Sequence, residues 1–182
     1  MKRCKWVNLN NAKYVDYHDN EWCVCVYDDK LLFEMLILES FQAGLSWECI
    51  LNKREFFREA FDNFDVDMIS KYDDKKINEL LNNKNIVRNR NKILAAIGNA
   101  KIFLSIQKKW GSFSKYIWHF TEGKVVKNID NCLKTTSELS DMVSNDLKKR
   151  GMKYMGSTII YSYLQSIGVI DDHELDCFKY KG

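Results

Sequence analysis

The 182-residue chain contains no proline. Its turns therefore cannot use the fixed φ of that residue and must rely on Gly, Asn and Asp. No stretch approaches the roughly 18 apolar residues of a membrane-crossing helix, which excludes such a span. Met1 is followed by Lys2, Arg3 and Cys4 with no apolar run behind them, so neither a signal peptide nor a membrane is expected. Cys-x-x-Cys, internal repeats, low-complexity tracts and linkers are absent, and strand-like alternation never persists. One-sided charge is missing too. With 28 Lys+Arg against 25 Asp+Glu the net charge is +3, which permits an acidic partner without demanding one.

What remains is a composition of 46% hydrophobic and 29% charged residues, that of a globular chain with enough length for one sizeable core. Helical periodicity recurs. Asp28 and Asp29 can cap a helix beginning near Lys30, whose LLFEMLIL core is apolar nearly all round and belongs at the centre of a fold. Further helices are expected over 52–61, 65–71, 73–82, 90–108, 113–120, 137–149 and 157–167, with Gly168 as a C-cap. The expected class is all-α, with residues 1–182 forming a single domain.

Within LLFEMLILESFQAGLSW, Glu39 shares its helix face with Leu36, Met35 and Leu32, and Trp47 follows a Gly-containing turn. Glu34 has Lys30 one turn back and is expected to reach solvent. A desolvated carboxylate is costly unless a donor satisfies it. Two readings of Glu39 stay open here, a structural cap or ion pair and a ligand-reading group. Trp6, Trp22 and Tyr17 of the neighbouring YVDYHDNEW region could be core, or could stack on a flat or cationic ligand.

The six cysteines are expected to be reduced, since a chain of this size needs no stapling, and the compartment to be cytoplasmic. In DDHELDC, His173 and Cys177 lie four residues apart, one helical turn. Nothing nearby partners them. Scattered cysteines are commonly small buried hydrophobes, so spacing alone leaves a metal site open. Cys49 and Cys132 read as ordinary thiols, and His119, in an aromatic-rich WHF run, as a packing residue.

Taken together, MKRCKW, YVDYHDNEW, LFEMLILESFQAGLSW, NKNIVRNRNKILAAIGNA, KKRGMKYMGSTIIYS and DDHELDC resemble the constitutive 3-methyladenine DNA glycosylase family of the helix-hairpin-helix superfamily. The resemblance covers nearly the whole chain in order. It implies a monomeric, monofunctional hydrolase that flips 3-methyladenine out of alkylated double-stranded DNA and cuts its N-glycosidic bond, leaving an abasic site and free base. No obligatory protein partner is implied. By the same resemblance Glu39 reads the base, Tyr17, Trp22 and Trp47 form an aromatic pocket flanked by Trp6, and Cys4, His18, His173 and Cys177 hold one structural zinc. That zinc would tie residues 1–20 to 170–182. A Cys4–Cys177 disulfide would conflict with a reducing compartment.

The hairpin candidate lies at about 75–100, where Lys84, Arg88, Arg90 and Lys92 crowd together. Asn85 and Asn91 stand where the superfamily usually has glycine, and asparagine tolerates the left-handed conformation. Lys148, Lys149, Arg150 and Lys153 form a second basic cluster before Ser157, which could open a helix toward phosphate. Gly44 and Leu45 are candidates for the loop that fills the gap left by the flipped base. After Trp22 the family usually reads Gly-x-Pro, whereas this chain has Cys23-Val24-Cys25, which puts the pose of Trp22 in question. A second metal site at Cys23 and Cys25 lacks a nearby histidine in the sequence. The competing readings are a zinc-containing helical module that binds damaged DNA without catalysis, and a helical protein-interaction domain with an exposed apolar stripe.

Overall fold

Ten consecutive residues, Leu32 to Phe41, are buried in the helix α2 (Asp29–Gln42), so it presents no polar face to water. An all-round apolar helix must be enclosed by others. In this computed structural model, which describes residues 1–128 and 134–180, α2 packs against α3 (Trp47–Ala60), α6 (Arg90–Trp110), α7 (Phe113–His119) and α9 (Ser157–Ser166). Around this centre lie α1 (Ala12–Asn20), the short α4 (Val66–Ile69), α5 (Asp74–Asn82) and α8 (Glu138–Lys149). Cys132 lies outside the described residues. No helix among those described is long and apolar enough to cross a membrane.

The expected helical class holds, with one addition. Val126–Lys127 (β1) pairs in parallel with Ile170–Asp171 (β2), placing Val126 opposite Ile170. Two-residue strands are too short to show alternation in a sequence. The helix α1 was also missed, because AKYVDYHDN reads first as an aromatic cluster; Asn11 caps it by accepting from Lys13 N. Helix α3 begins at Trp47, five residues before the expected start, because Ser46 accepts from Cys49 N as its N-cap. Asp28 caps α2 as expected, but Asp29 serves a different helix. Its carboxylate accepts from Phe113 N and Ser114 N at the start of α7 and from Gln107 Nε2.

The turn between α5 and α6 does not use left-handed asparagine. No residue from 83 to 91 has positive φ. Asn83 Oδ1 accepts from Asn85 N, Asn89 caps α6 by accepting from Lys92 N, and Asn91 is already helical. Side-chain hydrogen bonding, rather than backbone permissiveness, closes this connection.

The departure at Cys23-Val24-Cys25 is absorbed by the end of α9. Cys23 N donates to Gln165 O and Val26 N to Ile167 O. Gly168 takes φ 73°, and a Cβ there would lie 2.4 Å from Val24 C. Its missing side chain is what lets the loop after Trp22 dock on this turn.

Candidate functional site

The N-terminal segment, α1, the end of α2 and the start of α3 converge on a cavity of about 590 Å³. Its walls include Trp6, Tyr14, Tyr17, Trp22, Glu39 and Trp47, so every pocket residue singled out from the sequence lines one space. The rings form a contiguous wall. Trp6 meets Trp22 edge-on at 4.8 Å and Tyr14 at 5.2 Å, and Tyr17 meets Trp47 at 5.4 Å. Tyr14 was not among the sequence candidates, although it lies one turn before Tyr17 on the same helix face. Gln42, Gln165 and Asp172 also line the cavity, and no local motif marks them.

Glu39 is 2% exposed, and its Oε2 has no hydrogen-bond partner. Burial alone pushes its carboxyl well above the ordinary value. Trp47 Nε1 is likewise buried without an acceptor. An unsatisfied acceptor and an unsatisfied donor therefore belong to two residues of a cavity wall built from aromatic rings. Buried polar atoms are normally paired, and such exceptions concentrate where a ligand completes the set.

Glu34, expected in solvent, is buried at 3% exposure instead. Arg54 Nε donates to it at 2.6 Å and Arg58 Nη2 at 2.8 Å, while Arg54 also reaches Glu21 at 2.6 Å. The two glutamates of α2 thus have opposite fates. Glu34 is neutralised by α3, and Glu39 is left without a basic partner in the cavity wall. The arginines lie 20 and 24 positions away, beyond the reach of a reading of neighbours on one helix.

Against the back of the aromatic wall sits a cluster of thiols and imidazoles. Ligand atoms of Cys4, His18 and Cys177 all lie within 4.8 Å of one another, and all three residues are buried. His18 Nε2 is 3.4 Å from Cys177 Sγ, and its Nδ1 is held by Asp19 Oδ1 at 2.8 Å. His173 stands beside them, its ring 5.5 Å from that of His18. Its Nδ1 pairs with Asp171 Oδ1 at 2.7 Å, and its buried Nε2 has no partner. Its ligand atom groups with those of Cys23 and Asp171, so Cys23 does have a histidine nearby, which the sequence did not reveal. The segment from His173 to Cys177 is a turn and not the helical turn expected from the spacing. Trp22 packs edge-on against His173 at 4.7 Å and stacks on His18 at 5.9 Å, so the cluster backs the cavity wall directly.

The chain ends are joined by conventional contacts as well. Phe178 N donates to Lys2 O, Lys5 N to Glu174 Oε1, and Arg3 forks onto Asp19. The Arg3 hydrogen bonds hold the Asp19 carboxyl down at about 2, whereas burial pushes the Cys4 thiol up to about 12. A buried thiol of that kind ionises only if a cation enters beside it.

The basic candidates divide. Lys84, Arg88, Arg90, Lys149 and Lys153 are exposed. Arg150 is half-buried, with Nε on Asp146 Oδ2 at 2.6 Å and its guanidinium over the Tyr116 ring, so its charge is committed internally. Ser157 starts α9, and its hydroxyl lies 2.8 Å from that of Ser140. Lys92 is not available to phosphate at all. It is 6% exposed, and its Nζ donates to Phe41 O at 2.7 Å and Ala43 O at 2.6 Å. Gly44 (φ 79°) and Leu45, 40% exposed, form the tip of the loop between α2 and α3 at the cavity side of the molecule. His119 packs on Trp110 and Phe120, as expected of a packing residue, but at an exposed position.

The sequence profile of the methyladenine glycosylase family matches residues 6–180. The chain is 39% identical over 189 residues to DNA-3-methyladenine glycosylase 1 of Escherichia coli (strain K12), covering 100% of this chain and 98% of that protein. It is 42% identical over 178 residues to DNA-3-methyladenine glycosylase of Haemophilus influenzae, covering 96% of each. Among solved structures, the fold superposes on a crystal structure of 3-methyladenine DNA glycosylase I with a TM-score of 0.94 at 40% identity, covering 99% of this chain and 100% of the other. A Staphylococcus aureus 3-methyladenine DNA glycosylase I, solved to explain recognition of 3-methyladenine, gives 0.92 at 35% identity, covering 100% and 98%.

Proposed function

This chain belongs to the methyladenine glycosylase family, and from that premise we propose how its own residues excise 3-methyladenine in base-excision repair. The observation that carries the reading is Glu39, a buried carboxylate with an unsatisfied oxygen in a cavity walled by indoles and phenols.

Methylation at N3 leaves the nucleoside cationic. Its glycosidic bond is already weak, and the base departs neutral once the electron pair of the C1′–N9 bond moves onto it. Water adds to the sugar carbon and gives up a proton, leaving an abasic strand. The protein must therefore extrude the base and tell it from adenine more than it must donate protons. Electron-rich ring faces favour a cationic purine by roughly 0.5–2 kcal/mol per contact. Glu39 accepts hydrogen bonds from the base, and ionisation of its carboxyl becomes favourable only once the cation is in place. Trp47 Nε1 offers the complementary donor.

Exposed Lys84, Arg88 and Arg90, on the α5–α6 connection read as a helix-hairpin-helix, would meet phosphates in a sequence-independent way, with Lys149 and Lys153 as a second contact. Ser157 would add a phosphate contact at the start of α9, and Leu45 would fill the vacated stack.

The residues at the chain ends fit a zinc ion. Cys4, His18 and Cys177 already converge, His18 and His173 each have Nδ1 fixed by a carboxylate, and the partnerless Nε2 of the neighbouring His173 would be the fourth donor. Four protein ligands leave no position for water, so the ion would supply cohesion and no chemistry. Asp19 and Asp171 orient the imidazoles that would hold it.

Calorimetric titration with free 3-methyladenine tests the pocket. Glu39→Ala is expected to weaken binding by about 2 kcal/mol or more, roughly thirtyfold. Unchanged affinity would remove Glu39 from recognition.

A further inference from the structure

We infer that Lys92 is a positioning residue, which locks the loop between α2 and α3 to the helix that docks on DNA. The inference rests on the functional reading above.

Lys92 is the third residue of α6, and its backbone N is fixed by the Asn89 cap. Its side chain turns inward and delivers the ammonium to the carbonyls of Phe41 and Ala43, at the C-terminus of α2. Among the described residues no carboxylate pairs with it; desolvation lowers its pKa, and its Nζ lies over the Tyr154 ring at 5.9 Å. Burying an ammonium without a counter-charge is costly, and a leucine would fill the same space without that cost. What the ammonium adds is two directed hydrogen bonds at the negative end of the α2 dipole.

The segment it holds is the short link between Glu39 and Trp47, two residues of the cavity wall. Within that link Ala43 leaves the helix, Gly44 turns at φ 79°, and Leu45 N donates back to Gln42 O at 2.7 Å. Leu45 is left projecting. On the other side, Lys92 is two and four residues after the exposed Arg90 and Arg88. One side chain thus bridges the phosphate-facing turn and the loop that must enter the base stack. Rigid support of this kind is what holds a wedge in register, since a displacement near 1 Å can cost about 100-fold in rate.

The test uses the full-length protein and duplexes carrying methylated adenine, paired with thymine or opposite an abasic analogue, where extrusion needs less help. Under single-turnover conditions Lys92→Met is expected to release base from the paired site at least about tenfold more slowly than the wild type. On the unpaired site the deficit should narrow to within about twofold, with affinity for free 3-methyladenine unchanged. Lys92→Arg, which keeps the donors, should recover most of the rate. If Lys92→Met fails to fold, Lys92→Gln serves for the same comparison. Equal deficits on both substrates, no deficit on either, or loss of free-base affinity would overturn the inference alone. Failure of the wild type to release base would overturn the functional reading, and this inference with it.

Discussion

Glu39 and Glu34 lie five positions apart on one buried helix, and the contrast between them shows how partners set the use of a carboxylate. Arg54 and Arg58 neutralise Glu34. Glu39 has no such partner, so its charged form is disfavoured by burial and its folded-state pKa is raised. The stability that the neutral carboxyl permits is fully present below the ordinary glutamate value of about 4.3 and is lost as pH rises through the elevated folded value. Glu39→Gln removes that titration. The variant is expected to be more stable than the wild type at pH 8 by about 1–3 kcal/mol, with the gap closing near pH 4, measured by thermal melting across pH. A gap that does not change with pH would show that Glu39 is not held in a desolvated site. Glu39 was legible in the sequence because its apolar neighbours recur at helical spacing. The fates of Glu34 and Lys92 were not, because their partners come from segments 20 to 51 residues away.

Helix α6 and the two chain ends position the site at the scale of elements. α6 carries the basic turn at its start, Lys92 in its first turn, and Asn99 further along, whose side chain accepts from Lys153 N and donates to Lys153 O. It therefore holds both basic segments relative to α2. The chain ends are joined directly, by Phe178 N donating to Lys2 O and Lys5 N to Glu174 Oε1, beside the 3.4 Å approach of His18 Nε2 to Cys177 Sγ. Removal of the proposed zinc should loosen this junction and, through Trp22, the pocket wall. The protein is expected to purify with about one zinc per chain, and chelation to lower its Tm by roughly 5–10 °C while weakening free-base binding. Metal-free protein with the same Tm and affinity would contradict the assignment. The strand pair and the turn at 173–177 were illegible in the sequence: two paired residues show no period, and spacing of four suits a turn as well as a helix.

For the whole molecule, the cavity, the projecting Leu45 and the exposed basic turn describe one path for a nucleotide. On the proposed reading, backbone would be held outside, the stack filled by Leu45, and the base received among the rings beside Glu39. The helical class and the aromatic pocket were readable because burial and helical period leave strong local marks. The enclosure of the pocket by residues such as Gln42, Gln165 and Asp172 depends on how distant segments meet, and no local pattern records it. Binding and cutting are different demands, and the distinction is made by product. The decisive measurement is chromatography of the base released when the protein is incubated with methylated duplex DNA. The account predicts free 3-methyladenine together with an intact strand bearing an abasic site; tight binding with no base released, or a cleaved strand trapped on the protein by borohydride, would contradict it.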